Sequence, residues 1–461
     1  MMQTDDCSEQ TDLELIDRIV AAVSERTPVG IARAVGRLVS SGEAKPGDRL
    51  PTVRALAAAL SVSPTSVAEA WLVLRQSGTI DTGGRRGTFV REAGPAVGTG
   101  RIWRVPVEQG VYELDLSTGT PDPDLLPSLG SILRTLGVAP AVTSYLDRPV
   151  LEALERVLLD RWPFPAERLT VVNGAMDALD RLVSLLLGFG DRVVVENPTF
   201  APIIDLLERS GAEIISVRLD AEGIVPDSLA DALALQPGLL VMQPRAHNPT
   251  GIGTTEARAA ALAGLLADTG TLIIEDDHSG VVSGAPLHSL GTFLPERVVH
   301  IHSFSKAYGP DLRLAAVGGA AGPIDELIRR RQLGPSWSSR LLQSVLLQLL
   351  TDPAVDASLA MAASTYGERR RRLSEALAGQ GVEIGPGSGL NVWLPVREEQ
   401  WALVALASRG VGAAPGSPFQ IDGSDGPHLR ITTARVHTGF NELAVRLADA
   451  ARAAGSRSLP A

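Results

Sequence analysis

The stretch Ile301-His-Ser-Phe-Ser-Lys306-Ala-Tyr-Gly-Pro-Asp-Leu-Arg313 carries one of only two lysines in a chain of 461 residues, the other being Lys45. Basic charge rests otherwise on arginine, since lysine and arginine together number 42. Arginine forms no stable imine with an aldehyde. Lysine does, once burial or a neighbouring cation lets its amine lose a proton. A lysine kept in a Ser-x-Ser-Lys turn therefore reads either as a chemical group or as a survivor of an arginine-biased composition. Its neighbours along the chain decide between the two.

Working outward, short apolar runs at 169–172, 192–195, 213–217, 239–242, 271–274, 298–301 and 316–318 alternate with amphipathic helical segments such as 175–187 and 255–268. That pattern predicts an α/β fold with a mainly parallel sheet covered on both faces. Polar stations follow the strands. Asn173-Gly174-Ala175-Met176 opens a helix and turns free N–H groups and a positive helix end toward the turn, which suits a phosphate. Glu196-Asn-Pro-Thr-Phe200 offers a ring that stacks on a planar ligand or packs in the core. His247-Asn248-Pro-Thr-Gly251 offers an amide. Glu275-Asp276-Asp277-His278 carries acids that are costly to bury without a cation. Lys306 follows the next strand, and Arg313 lies seven residues on.

The N-terminal part differs in charge. Residues 1–26 carry a net charge of −5, residues 27–91 carry +5, and the whole chain carries −11. A basic segment in an acidic protein points to a local polyanion contact or to a solvated charged face. Residues 30–90 read as three short helices and a hairpin. The first, about 30–41, repeats Ile31, Val35, Leu38 and Val39 on one face. The second opens at Leu50-Pro-Thr52-Val-Arg54, with Thr52 as N-cap, and runs through Leu60. The third follows Ser63-Pro64, an N-cap with proline in the first turn, and runs to about Gln76. Residues 79–82 then pair with 87–90 around Gly83-Gly-Arg85-Arg86.

Hydrophobic residues at 44% with 21% charged leave room for a large core in a soluble protein. The single cysteine, Cys7, excludes an internal disulfide framework and a cysteine zinc site, so a reducing, cytoplasmic setting is expected. The acidic start has no signal-peptide pattern. The most apolar helical segment, 341–350, is short and broken by Gln343 and Gln348, which excludes a membrane span there.

Gly47-Asp-Arg-Leu-Pro-Thr-Val-Arg54-Ala-Leu-Ala57, then Val62-Ser-Pro-Thr-Ser-Val67, then Gly87-Thr-Phe-Val90, resembles the winged helix-turn-helix of the GntR regulators. The resemblance implies double-stranded DNA as partner, with the third helix in the major groove. It assigns contacts by position to Arg54, Ser63, Thr65, Ser66, Arg85, Arg86 and Gly87. Basic residues often found at the start and middle of that recognition helix are here Pro64 and Ala68. Base reading is thus expected to be sparse, with phosphate contacts and DNA shape carrying more of the affinity. A winged helix used for protein contacts is the other reading.

From about Asp115 onward the five stations, in this order, resemble the fold-type I, class I aminotransferases. The resemblance implies pyridoxal 5'-phosphate as cofactor, attached covalently to Lys306. Asp276 would keep the ring nitrogen protonated, Asn248 would bond the 3-hydroxyl, and Phe200 would stack on the ring. Gly174, Ala175, Met176, Ser303, Ser305 and Arg313 would hold the phosphate. Tyr145, in Ser144-Tyr-Leu-Asp-Arg148, resembles the tyrosine that reaches the phosphate across a dimer interface. Arg430, in His428-Leu-Arg430-Ile, aligns with the arginine that grips an α-carboxylate, and Gly119, in Ser117-Thr-Gly-Thr-Pro-Asp122, would line the substrate side. Two positions depart from the pattern: His278 stands where a tyrosine usually bonds the 3-hydroxyl, and Val150 replaces a usual glycine. A metal on His278 with Asp276 and Asp277 is the alternative for that cluster, and no metal is expected. His300 and His302 read as packing groups.

The two modules together resemble the MocR regulators. The expected organisation is an acidic segment 1–26, a winged helix-turn-helix 27–91, a linker 92–114, and an aminotransferase-like domain 115–461. That domain would comprise a large subdomain at about 165–335 and a smaller α+β subdomain from 115–160 and 336–461. The resemblance implies a homodimeric, cofactor-dependent transcription regulator sensing an amino compound or pyridoxal phosphate itself. An active aminotransferase with an accessory winged helix is the alternative.

Overall fold

The computed structural model describes residues 15–40, 43–45, 47–76, 79–82, 87–90, 101, 112–135, 144 and 147–454. The expectations for Tyr145, Arg85 and Arg86, for residues 1–14 of the acidic segment, and for nearly all of the linker lie outside the described residues. The chain divides into two compact units.

In the first unit, helix Pro28–Ser40 buries Ile31, Val35 and Leu38 from one face. Helix Val53–Leu60 starts where Thr52 Oγ1 accepts the Ala55 N–H at 3.2 Å and stops at Ser61, which takes a left-handed φ of 55°. Helix Pro64–Gln76 starts at Ser63, whose Oγ accepts the Ser66 N–H at 3.1 Å. Strands β1 (Arg49–Leu50), β2 (Ile80–Thr82) and β3 (Thr88–Val90) form an antiparallel sheet in the order β1-β3-β2. The expected hairpin thus gains a third strand. Asp48 makes it possible by folding the preceding turn, its carboxylate accepting the Lys45 N–H at 2.7 Å, while Leu50 is 2% exposed beneath the sheet. One core holds the unit together, with Leu56, Leu60, Val67, Trp71, Leu74, Ile80 and Val90 among its members.

In the second unit, β4 (Leu114–Asp115) precedes strands β5 (Arg168–Val172), β6 (Arg192–Asn197), β7 (Glu213–Asp220), β8 (Gly223–Ile224), β9 (Leu239–Met242), β10 (Leu272–Asp277), β11 (Val298–Ser303) and β12 (Ala315–Gly319). The last eight form one mixed sheet in the order β5-β12-β11-β10-β9-β6-β7-β8. Its centre, β9-β10-β11, is parallel, and β12 runs antiparallel between β11 and β5. Residues of β9, β10 and β11 are almost all buried, which is why the sequence runs are continuously apolar until the strand ends. Strands β13 (Asn391–Pro395), β15 (Ala414–Pro415) and β16 (His428–Thr432) form a second, antiparallel sheet in the order β13-β16-β15, and β14 (Val411–Gly412) pairs with β4. Helices Pro353–Ala378 and Phe440–Arg452 share a core with it through Leu373, Leu377, Val392, Ile431 and Leu447. Among the described residues, no single helix is long and apolar enough to cross a membrane.

Leu56 is fully buried between the first unit's helices. Leu56→Ala should destabilise that unit by about 2–5 kcal/mol. The check is amide hydrogen exchange, which should accelerate within residues 28–90 and stay unchanged in strands β9 to β11.

Candidate functional site

The polar stations gather at one end of the large sheet because the parallel strands β9, β10 and β11 all deliver their C-terminal residues there. Strand β12 runs the other way, so Arg313 enters the same end from its start. Lys306 sits in the short helix Ser305–Tyr308 directly after β11 and is half-buried. Its Nζ donates to the carbonyl of Gly119. Burial, and then the nearby Arg430 guanidinium, lower its pKa to about 8. The amine is thus far easier to deprotonate than an exposed lysine.

Arg430, on β16, is 3% exposed. It donates to the Ser117 carbonyl, reaches Asn248 Oδ1 at 3.4 Å, and lies 4.9 Å over the Phe419 ring. Among the described residues its Nε has no hydrogen-bond partner, and burial lowers its pKa to about 10. Gly119 makes this approach possible. It takes φ +64, and a Cβ there would stand 3.2 Å from Arg430 Nη1. Its N–H is tied to Thr432 Oγ1 at 2.8 Å.

Asp276, at the end of β10, is 2% exposed. Its Oδ2 accepts from Gln243 Nε2 at 2.8 Å, while Oδ1 has no hydrogen-bond partner among the described residues. Burial raises its pKa to about 6, so it is ionised at neutral pH. Gln243 also takes the Asn248 N–H on Oε1 and gives its own backbone N–H to buried Glu196, each at 2.8 Å. Burial pushes the Glu196 carboxyl well above the usual range.

Alternation along β10 turns Glu275 and Asp277 to the other face. Asp277 is held there by Arg245 in two bonds, 2.8 and 2.7 Å, and faces His302 Nδ1 at 2.9 Å. Burial pushes this carboxyl up, but Arg245 and His302 outweigh it and hold it well below the carboxylate range. Asp277, His300 and His302 bring ligand atoms within 4.8 Å of one another, yet the Arg245 cation already occupies the carboxylate. Among the described residues, His278 hydrogen-bonds neither acid. Its Nε2 faces the Ala246 carbonyl at 3.0 Å and its Nδ1 faces Ser279 Oγ at 3.1 Å. Burial, and then Lys306, lower its pKa to about 4, so the ring is neutral. A carbonyl only accepts, so the single ring proton is on Nε2 and is already used.

After β5, Gly174 adopts φ +98, and a Cβ there would lie 3.4 Å from Arg313 Nη2. Arg313 itself takes a left-handed φ of 48°, a conformation that costs about 1–3 kcal/mol in a non-glycine residue. Helix Ala175–Leu186 begins at this turn and aims its free N–H groups there, with Ala175 and Met176 half-buried. Ser303 is buried at the end of β11, and its Oγ accepts the Ser305 N–H at 3.4 Å. Phe200 packs against the cluster of Ala201, Trp393, Ala414 and Phe419.

In the first unit, Arg54, Ser63 and Thr65 are exposed and Ser66 is half-buried. Ser63 Oγ and Ser66 Oγ bond each other at 2.9 Å. Gly87, at φ +104, lies beside the Arg49 side chain, with a Cβ position 3.0 Å from Arg49 Nε. Sequence reasoning passed over Arg49, Gln243, Arg245 and Phe419. The signal for the middle pair was present, because Gln243-Pro-Arg245-Ala-His247 puts polar groups on a strand end that otherwise reads as core.

An amine with a lowered pKa, an unpaired buried carboxylate oxygen and a glycine turn under an arginine fit pyridoxal 5'-phosphate, the cofactor of this domain. Fold and site define a pyridoxal-phosphate-binding transferase fold, carried on the same chain as a winged helix-turn-helix. Residues 112–446 match the family aminotransferase class I and II, and residues 29–90 match bacterial regulatory proteins, gntR family. The chain belongs to the MocR-type regulators, which join these two domains. It is 34% identical over 436 residues to the vitamin B6 salvage pathway transcriptional repressor PtsJ of Salmonella typhimurium, covering 93% of this chain and 99% of that one. It is 31% identical over 429 residues to the transcriptional regulator TauR of Rhodobacter capsulatus, covering 83% and 87%. The fold resembles a kynurenine aminotransferase of Pyrococcus horikoshii at a TM-score of 0.67 and 22% identity, covering 73% of this chain and 90% of that one.

The neutral amine is the form that attacks an aldehyde. With the Lys306 pKa at about 8, the rate at which cofactor-free protein captures pyridoxal phosphate should rise with pH and level off above about 8. Stopped-flow absorbance measures it, and Lys306→Ala should lose the visible band of the bound cofactor.

Proposed function

We propose that this chain is a cytoplasmic, homodimeric transcription regulator whose binding to double-stranded operator DNA is adjusted by an amino compound held between Lys306 and Arg430. One observation carries the reading. The Arg430 guanidinium is buried on the same Ser117–Gly119 segment that holds Lys306, and its Nε is unpaired. A buried cation in that state favours a ligand carboxylate, which a guanidinium takes in two parallel bonds. Bound pyridoxal phosphate supplies an aldehyde and an electron-withdrawing ring. In this reading Lys306 holds the cofactor, and Asp276 Oδ1 accepts from its ring nitrogen. Asn248 meets the 3-oxygen and Phe200 covers the ring. Gly174, Ala175, Met176, Ser303, Ser305 and Arg313 hold the phosphate, and Tyr145 reaches it across the dimer. Gly119 leaves room beside Arg430 for the ligand. His278 stands near the 3-oxygen without a proton to give it, since its Nε2–H goes to Ala246.

A second reading makes the cofactor itself the signal, and the likeness to a repressor of vitamin B6 salvage favours it. Net transamination is the alternative activity, supported by the presence of Lys306, Asp276, Asn248 and Arg430 in one site.

The test measures DNA binding by the full chain to the region upstream of its own gene, in three states: cofactor-free, cofactor-loaded, and loaded with a panel of amino acids. A change between the last two that Arg430→Ala abolishes supports the amino sensor. A change only between the first two supports cofactor sensing, and steady keto-acid release supports the enzyme. No DNA binding in any state would sink the regulator. Arg54→Ala should weaken binding uniformly across sequences and reduce the salt-dependence slope by about 0.9. His278→Tyr would add a donor to the 3-oxygen and so stabilise its negative charge. The pH midpoint of the bound cofactor's visible band should then fall, as read by absorbance titration.

A further inference from the structure

The recognition helix has an unusual outward face. Residues three and four apart share a face of a helix. Val67, Ala70, Trp71 and Leu74 form the buried face of Pro64–Gln76 and pack in the core of the first unit. The opposite face, by the same spacing, is Thr65, Ala68, Glu69 and Leu72, and all four are exposed. The charged side chains on that side of the helix are Glu69 and Arg75, which is exposed three residues beyond Leu72. Among the described residues, Glu69 makes no ion pair. Arg75 stands in the last turn of this helix, Arg54 is on the preceding helix, and Arg49 lies beside the wing glycine Gly87.

A carboxylate in the major groove is repelled by the phosphates on both sides unless a base amine meets it. Among base edges in that groove, the cytosine N4 amine is the donor that a carboxylate accepts from, whereas adenine, with a donor beside an acceptor, is matched by an amide. The other three ridge residues end in methyl groups, which suit the C5-methyl of thymine.

We propose that Glu69 reads one cytosine in each operator half-site, with Thr65, Ala68 and Leu72 set against thymine methyl groups, while Arg75 at the end of the helix and Arg54 and Arg49 beside it meet the phosphate charge. This rests on the regulator reading above and adds the class of base sequence it takes. Glu69 is exposed and serves no packing role, so its replacement leaves the fold intact, which far-ultraviolet circular dichroism checks.

The experiment selects binding sites from random double-stranded DNA with the full-length, cofactor-loaded protein and two variants. The unaltered protein should enrich a cytosine at one position per half-site. Glu69→Gln should move that preference to adenine. Glu69→Ala should lose it, with affinity for the cytosine site falling about 5- to 100-fold while binding to unrelated DNA is kept. If Glu69→Ala keeps the original base preference, or binds every sequence more tightly by the same factor, Glu69 reads no base and the inference is overturned. If the unaltered protein enriches no DNA at all, the regulator reading fails as well, and the two failures are told apart by that first arm.

Discussion

Two cations in one buried site, Lys306 and Arg430, are the constraint on which the second unit's architecture turns. Each lowers the proton affinity of its surroundings, and backbone carbonyls, of Gly119 and Ser117, hold them in place. Carbonyl dipoles offset part of the cost of burying charge without neutralising it, so both groups stay available to a ligand. The arrangement demands that a segment early in the second unit lie across the strand ends that carry Lys306. That requires β4 to pair with β14, and Thr432 on β16 to bond the Gly119 N–H. The smaller sheet is therefore as much a part of the site as the larger one.

The opposing charge is arranged with equal care on β10. Successive residues point to opposite faces, so three acids in a row are split between two jobs. Asp276 faces the site with one oxygen bonded to Gln243 and the other free. Glu275 and Asp277 face away, where His300, His302, Ser289 and Arg245 meet them. Without that second network, two more carboxylates would lie buried within reach of Asp276 and raise its pKa further by like-charge repulsion. Glu196, buried beside them, gains the backbone N–H of Gln243 as a donor, and burial pushes its carboxyl up.

Much of the fold was legible because its signals are local. Apolar runs bounded by polar stations mark the buried strands, and Thr52 and Ser63 mark helix starts with side chains that cap them in the structure. Strand β1 was missed for the opposite reason. Two residues are too few for a periodic signal, and Arg49–Leu50 becomes a strand only because β3 arrives from about forty positions later. The site shows the same division. Motif residues such as Asn248 and Lys306 stand out in the sequence, whereas Gln243 and Arg245 acquire meaning only once β9 and β10 lie side by side. Phe419 under Arg430 depends on a strand order that no local pattern encodes.

The two units divide their electrostatics in contrasting ways. In the second, the two cations of the site, Lys306 and Arg430, are set together against backbone carbonyls, an arrangement that favours one orientation of an anionic ligand. In the first, basic side chains such as Arg49 and Arg54 are exposed and lie off the recognition ridge, where salt screens them and water competes for them. Such charges supply attraction to any duplex but little choice among sequences. On the recognition helix, the outward face sets the methyl groups of Thr65, Ala68 and Leu72 beside the Glu69 carboxylate, a surface that attracts a duplex little by charge and is sensitive to which base edges it meets. A binding surface built this way gains its discrimination from what it excludes. Attraction of the unselective kind is weakened by salt, so the net affinity of such a surface is sensitive to its surroundings.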